Sequence, residues 1–446
     1  MPKPMLGANY TPRRGWFHSW GSFEPSPVQE DLAQIAQLGL DHVRIFPLWP
    51  VLQPSRTLIS SAAVDDVLHV VDLAGEQGLD ISVDLLQGHL SSFDFLPAWI
   101  STWHRRNLFT DPDVVAAQQE LARVLGTELA RRPQVTGMTL GNEVGQFAVS
   151  YHPDPHPVTS EQATEWTRAL LETADHHLPG RRNHHSFDDT LWFKDDHPFT
   201  PADAVTLGAS TTVHSWVFTG AGQTFGEGHP ALALYGRYLV EVADLWRREL
   251  GASEDRRIWL QEIGAPTPWV DAELAPQFAD TSIRAAVAHP AVEAVTWWCS
   301  HDVSRDLGDF PEVEYSLGLF DEHGRTKPIG EAIGALAAEL HAEHEGVGKR
   351  SEQSPAEQSV AAQSVDAQSL AEQPVAELPV PDLARDGSDR SVLGPRGEFF
   401  ARWVAEALEG RPCRLVTAAD EALTEETIDH NASPSAPINL RRAARR

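Results

Sequence analysis

Cysteine is scarce: the 446 residues include only Cys299 and Cys413, so no disulfide framework carries the fold. Lysine is nearly absent and the net charge is −29, the opposite of what a phosphate backbone or an anionic bilayer selects. Apolar runs of about 18 residues, the least that suggests a membrane helix, do not occur. The opening MPKPMLGANYTPRRGW lacks an apolar stretch of signal-peptide length. No Gly-rich G-x-G-x-x-G turn follows the first apolar segment, which removes the dinucleotide fingerprint of a doubly wound sheet. These absences point to a cytoplasmic protein with no nucleic-acid or membrane partner and no cofactor. What is abundant is core material: 41% of residues are hydrophobic and 14 are Trp, a residue that also stacks on the flat faces of sugars.

Short β-branched runs recur along the chain. They are LGANYT (6–11), HVRIFP (42–47), DISVDLL (80–86), VTGMTLGN (135–142), NHHSFDD (183–189), TLGASTTVHSW (206–216), RIWLQEIG (257–264) and AVTWWCSHD (294–302). Stretches with helical periodicity separate them, several opening on Ser, Thr or Asp and closing near Gly as capped helices do. Strand and helix alternating eight times predicts an α/β fold, a (β/α)8 TIM barrel over residues 1–345. The fifth run is the weakest strand, being polar and rich in His. Residues 346–390 contain a five-residue tandem pattern (EQSPA, EQSVA, AQSVD) that matches neither the helical nor the strand period and predicts a disordered linker. Residues 391–446 form a small C-terminal α/β segment, with GEFFARWVAEALEG helical, CRLVTA a strand and LRRAARR a basic tail.

Catalytic groups of a barrel sit at the C-terminal ends of its strands. LGNEVGQF puts Glu143 at the end of the fourth strand, and RIWLQEIG puts Glu262 at the end of the seventh, across the barrel mouth. Two convergent carboxylates suit glycoside hydrolysis, one as nucleophile and one as acid, then base. Arg44, ending the second strand in VRIFP, is placed to lower the pKa of Glu262 and keep it ionised. Glu143 is then the acid/base, raised toward neutrality by burial and by its partner's charge.

The ordered set of Arg44, His89 (LLQGH), Asn142-Glu143, His214 (TVHSW), Glu262 and Trp297 or Trp298 (TWWCSHD) resembles the clan of retaining (β/α)8 glycosidases that includes glycoside hydrolase family 5. The resemblance implies that Arg44 hydrogen-bonds the nucleophile, that Asn142 holds the sugar 2-hydroxyl, and that Trp297 or Trp298 is the platform beneath the sugar. His214 orients Glu143 or touches the sugar, and His89 plays a similar part. NYTPRRGWFHSW narrows the likeness to the intracellular bacterial β-mannosidase branch, with Trp16 and His18 lining the outer pocket. One departure stands out: that family commonly carries Tyr two residues after the sixth-strand His, where this chain has Trp216. Tyr315, on a neighbouring loop, is the candidate to replace its hydroxyl.

The expected substrate is therefore a small oligosaccharide, cut from the non-reducing end as a short β-mannoside such as Manβ1,4GlcNAc or β-mannobiose. Spacing alone leaves open a β-glucosidase, an endo-acting glucanase or mannanase, and a carbohydrate-binding protein on an inactive barrel. A homo-oligomer is left open as well. Paired histidines (His176-His177 and His184-His185) raise a metal-dependent hydrolase, but such a barrel needs His-x-His ending its first strand, which here ends ANYT. No metal is expected.

Overall fold

The computed structural model describes residues 3–103, 105–352, 376–383 and 389–418. Seven parallel strands curl into one sheet: Met5–Asn9, His42–Ile45, Asp80–Asp84, Val135–Thr139, Thr211–Ser215, Ile258–Ile263 and Val292–Trp297. They occupy the first to fourth and sixth to eighth places of a (β/α)8 barrel. The fifth place is taken by residues 182–187, which make no regular strand. There His184 donates to Met138 O (2.8 Å) and accepts from Leu140 N (2.9 Å), while on the other flank Ala209 N reaches Asn183 O (2.9 Å). A Cβ at Gly137 would run into the Arg182 carbonyl, so glycine there is what lets the fifth segment approach the fourth strand.

The connecting helices begin where the sequence caps them. Ser60 accepts from Ala63 N ahead of Ser61–Glu76, Asp111 caps Pro112–Leu129, and Thr159 with Gln162 forms a capping box ahead of Ser160–His177. After the fifth segment only a short helix, Pro201–Thr206, follows. Among the described residues no helix is long and apolar enough to cross a membrane.

The boundaries expected for the linker do not hold at either end. The eighth helix runs on from Pro328 to Glu352, and Glu377–Val380 is a strand paired in parallel with Arg414–Thr417. The tandem repeat within 353–375 and the basic tail lie outside the described residues. Helix Glu398–Leu408 completes a small β-α-β unit that packs on the sixth barrel helix, Tyr235–Glu249. Phe400 and Trp403 meet Tyr238 at ring-centroid distances of 4.7 and 5.5 Å, and the Arg248 guanidinium donates to Leu415 O. Covered by the barrel on one side and this module on the other, the helix is buried on every face from Tyr235 to Arg247.

Candidate active site

Glu143 follows Gly141-Asn142 at the end of the fourth strand and has φ +44°, the left-handed region that a side chain rarely occupies outside functional turns. Gly141 (φ +154°) permits the turn, because a Cβ there would lie 2.5 Å from Leu86 O. The turn aims Glu143 at His214, whose Nδ1 lies 2.7 Å from Glu143 Oε1 and 3.4 Å from Glu262 Oε2. One ligating atom each from Glu143, His214 and Glu262 falls within 4.8 Å of the others, and among the described residues this is the one group of three donors close enough to hold a metal ion. A metal there would tie up both carboxylates. The paired histidines expected to raise that question sit apart from this set: His185, for example, bonds Ala204 O at 2.9 Å.

Arg44 is wholly buried and spends its guanidinium on several acceptors. Nη1 donates to Glu262 Oε1 (3.0 Å), Nη2 to Asn142 Oδ1 (2.9 Å), and Nε and Nη2 grip both oxygens of Asp84 (2.9 and 2.8 Å). Asp84 ends the third strand and was not singled out from the sequence. The pattern that marked Glu143 and Glu262, an acidic residue closing a barrel strand, also marks it. Arg44 does not hold Glu262 low: burial outweighs it and pushes Glu262 up to about 7, Glu143 adds to the rise, and His214 and Arg44 oppose it. Burial likewise pushes Glu143 up to about 7, with the charge of Asp188 adding and His89 and Arg44 opposing. Such a pair titrates jointly. Arg44 contacts Glu262 and not Glu143. Burial keeps His214 lowered, a neutral imidazole between two carboxyls.

Several expected residues fall into place and others do not. Asn142, Glu143, His89, Glu262 and Trp298 line one cavity of about 200 Å³, at the small end of ligand sites. Trp297 does not: it is fully buried, its indole N–H on Leu317 O at 3.3 Å, because alternate residues of a strand face opposite sides and only Trp298 turns to the mouth. Trp16 is also buried, packed against Phe93, Phe95 and Phe310, with exposed His18 edge-on to it at 5.4 Å. Neither lines the cavity. Together these rings plug the space behind Ser91 and Glu314, which are hydrogen-bonded at 2.9 Å and do line it. The Tyr315 hydroxyl donates to Leu307 O (2.7 Å), away from Glu262. The donor in its stead is Trp216, whose Nε1–H reaches Glu262 Oε2 at 3.2 Å. The residue that broke the expected pattern is thus its own replacement.

Asp188, Asp189 and Glu314 also line the cavity; the two aspartates close the polar fifth run, the weakest of the expected strands, and Glu314 lies in a loop with no regular period. Asp188 accepts from Thr190 N (2.8 Å) through Oδ1, while its buried Oδ2 faces His197 Nε2 at 3.7 Å.

No protein-family model matches the chain, and no curated protein matches it. Among solved structures, the chain is 47% identical to a subfamily 18 member of glycoside hydrolase family 5 from Streptomyces cattleya in complex with GlcNAc, covering 93% of this chain and 94% of that one at a TM-score of 0.83. A glutamate-to-alanine variant from S. cattleya, in complex with Manβ1-4GlcNAc, matches at 46% identity, 93% and 94% coverage and a TM-score of 0.82. A glutamate-to-alanine variant of a subfamily 18 member from Bifidobacterium longum subsp. longum, also in complex with Manβ1-4GlcNAc, matches at 40% identity, 93% and 91% coverage and a TM-score of 0.81.

Proposed function

The chain belongs to glycoside hydrolase family 5, and from that membership we propose that it is a retaining exo-β-mannosidase of short β-mannosides. The observation that carries this reading is the convergence of Glu143 and Glu262 on one histidine, with Arg44 on Glu262 alone. Their oxygens lie within 4.8 Å of each other, near the ~5–5.5 Å of retaining pairs and short of the ~6.5–9.5 Å that admits an inverting water. Relatives that hold Manβ1,4GlcNAc support that disaccharide as substrate, and the aromatic plug behind Glu314 supports cutting from one end. The two cysteines, free and buried, fit a cytoplasmic setting.

In the first step Glu262 attacks the anomeric carbon while Glu143 gives its proton to the departing glycosidic oxygen. The covalent mannosyl–enzyme forms on Glu262, and the leaving sugar departs. Glu143, now a carboxylate, takes a proton from water, whose oxygen attacks the same carbon and frees Glu262. Two inversions leave the β-configuration intact. Trp216 and Arg44 stabilise the Glu262 carboxylate as it regains charge, Asn142 lies where it can hold the 2-hydroxyl, and Trp298 forms the apolar floor.

Azide distinguishes the roles. Glu262→Ala abolishes turnover and, with azide, yields an α-mannosyl azide. Glu143→Ala slows poor leaving groups by about 10²–10⁴-fold, spares activated aryl mannosides in the first step and yields the β-azide. Exchanged products would reverse the assignment. Faster hydrolysis of an aryl β-glucoside than of the β-mannoside would overturn the sugar.

A further inference from the structure

The closed end of the cavity is a wall of two layers, built where a hairpin after the third strand meets the loop after the eighth. His89-Leu90 pairs antiparallel with Phe93-Asp94, and Ser91 and Ser92 make the two-residue turn between them, with φ +48° and +72°. Positive φ at both positions suits Asn-Gly, so two serines there are strained, and what the turn presents is the Ser91 hydroxyl. The hairpin is braced from outside: Asp94 Oδ1 lies 3.0 Å from His89 Nδ1, and its Oδ2 lies 3.1 Å from His152 Nε2. In the rear layer Phe93 meets Phe310 of the opposite loop at a centroid distance of 4.8 Å. In the front layer Ser91 Oγ donates to Glu314 Oε2 at 2.9 Å, and both residues line the cavity.

Glu314 keeps an acceptor open. Among the described residues Ser91 is the only donor to its carboxyl and takes Oε2, while Oε1 has no protein donor and Glu314 is only partly buried at the cavity wall. Burial pushes this carboxyl up to about 7; the Ser91 hydrogen bond and His89 oppose the rise, and Glu143 adds to it. An acceptor so short of donors gains from a ligand hydroxyl.

The barrel fixes its place relative to the scissile bond. A line from Glu143 on the fourth strand to Glu262 on the seventh leaves the fifth and sixth places on one side and the eighth, first, second and third on the other. Trp298, the floor, is on the second side, so the mannose to be released lies there and the leaving sugar lies over the fifth and sixth loops. Ser91 and Glu314 stand on the mannose's side, at the end away from C1, where position 4 of the ring points. In a β1,4-linked chain position 4 carries the next sugar, and only a terminal mannose has a free hydroxyl there. The aromatic rings stop a chain without bonding to it; the carboxyl in front of them can read the hydroxyl.

We propose that Glu314, held by Ser91, is a specificity-determining residue that accepts a hydrogen bond from the 4-hydroxyl of the terminal mannose, so that exo action is selected by a bond to the chain end as well as by the aromatic stop. The inference rests on the β-mannosidase reading and assigns the group that recognises the non-reducing end.

The test pairs a change in the enzyme with a change in the substrate. The full-length wild type and Glu314→Ala are compared on 4-nitrophenyl β-mannoside and on its 4-deoxy analogue, and the ratio of the two kcat/KM values gives each enzyme's penalty for the missing hydroxyl. The effect of deoxygenation on the sugar's own reactivity is common to both enzymes and cancels between them. A hydrogen bond to a carboxylate predicts a wild-type penalty about 10–100-fold larger than the variant's. Equal penalties would overturn the proposal, because a Glu314 that only braces the wall slows both substrates alike. Should Glu314→Ala fail to fold, Glu314→Gln keeps the shape with a neutral, weaker acceptor, and its penalty is a few-fold smaller than the wild type's. A penalty unchanged in that variant overturns the proposal as well. A wild-type enzyme inactive on the parent mannoside would sink the β-mannosidase reading instead, which keeps the two failures apart.

Discussion

At one end of the cavity Trp16 packs among Phe93, Phe95 and Phe310, with ring centroids 4.7–5.8 Å from its own. At the other end Arg390 spreads its guanidinium over Asp195, Leu191 O and Lys194 O, and Asp188 sets Oδ1 against Thr190 and Oδ2 toward His197. The first end is shut by apolar burial, which has no direction and leaves nothing for a ligand to bond. The second is held by hydrogen bonds, which fix direction. One cleft thus uses both kinds of force, each where its physics suits.

The largest expected effect comes from opening the apolar end. Trp16→Ala removes a fully enclosed indole and is expected to cost about 3–5 kcal/mol of stability, measured by thermal melting. With the plug gone, longer β-mannooligosaccharides are cut at internal bonds, followed by product chromatography. A variant that melts lower yet still releases only single sugars would show that packing at Trp16 is not what closes that end.

Next is the donor on the nucleophile. Trp216→Phe keeps the ring and removes the N–H that serves Glu262, a bond to a charged group that contributes about 1.5–3 kcal/mol, or roughly 10–100-fold in kcat. The sign on pH follows from the same bond. It favours the ionised carboxylate, so its loss raises the pKa of Glu262 further and moves the acid limb of kcat/KM to higher pH. An unchanged acid limb would remove Trp216 from that role.

The smallest effect sharpens the polar end. Glu143 is faced by His214, Asp188, His89, Arg44 and Glu262, and Asp188 is the neighbouring charge that adds most to its rise. Asp188→Asn therefore lowers the pKa of Glu143. The protonated acid is lost at lower pH, and the alkaline limb, set near 7 in the parent, moves downward while the acid limb stays. A limb that moves up, or both limbs moving together, would mean that Asp188 acts on the pair rather than on Glu143.

Much of this was legible in the chain. Each expected strand except the fifth is regular, and Arg44, Asn142, Glu143, His214 and Glu262 converge as their strand ends require, because a barrel strand has one place where a side chain meets the mouth. The mistakes share one cause. Trp297 and Trp298 differ only in which way alternate residues point, and the bend after the eighth strand decides it. Tyr315 and Trp216 were separated only by where a loop carries a hydroxyl and an indole. Trp16 is buried because Phe93 and Phe310, distant in the chain, fold over it.

By itself, then, the sequence determined the barrel, the two carboxylates and the arginine beside one of them, since period, capping and strand-end position are local properties. Tertiary structure alone decided the sharing of Arg44 with Asp84, the burial that raises both carboxylates and the contact of Arg390 with residues 191–195. Each of these depends on the distance between groups far apart in the chain, and the strength of a charge or hydrogen bond is set by that distance and by the water packing excludes, neither of which a linear pattern encodes.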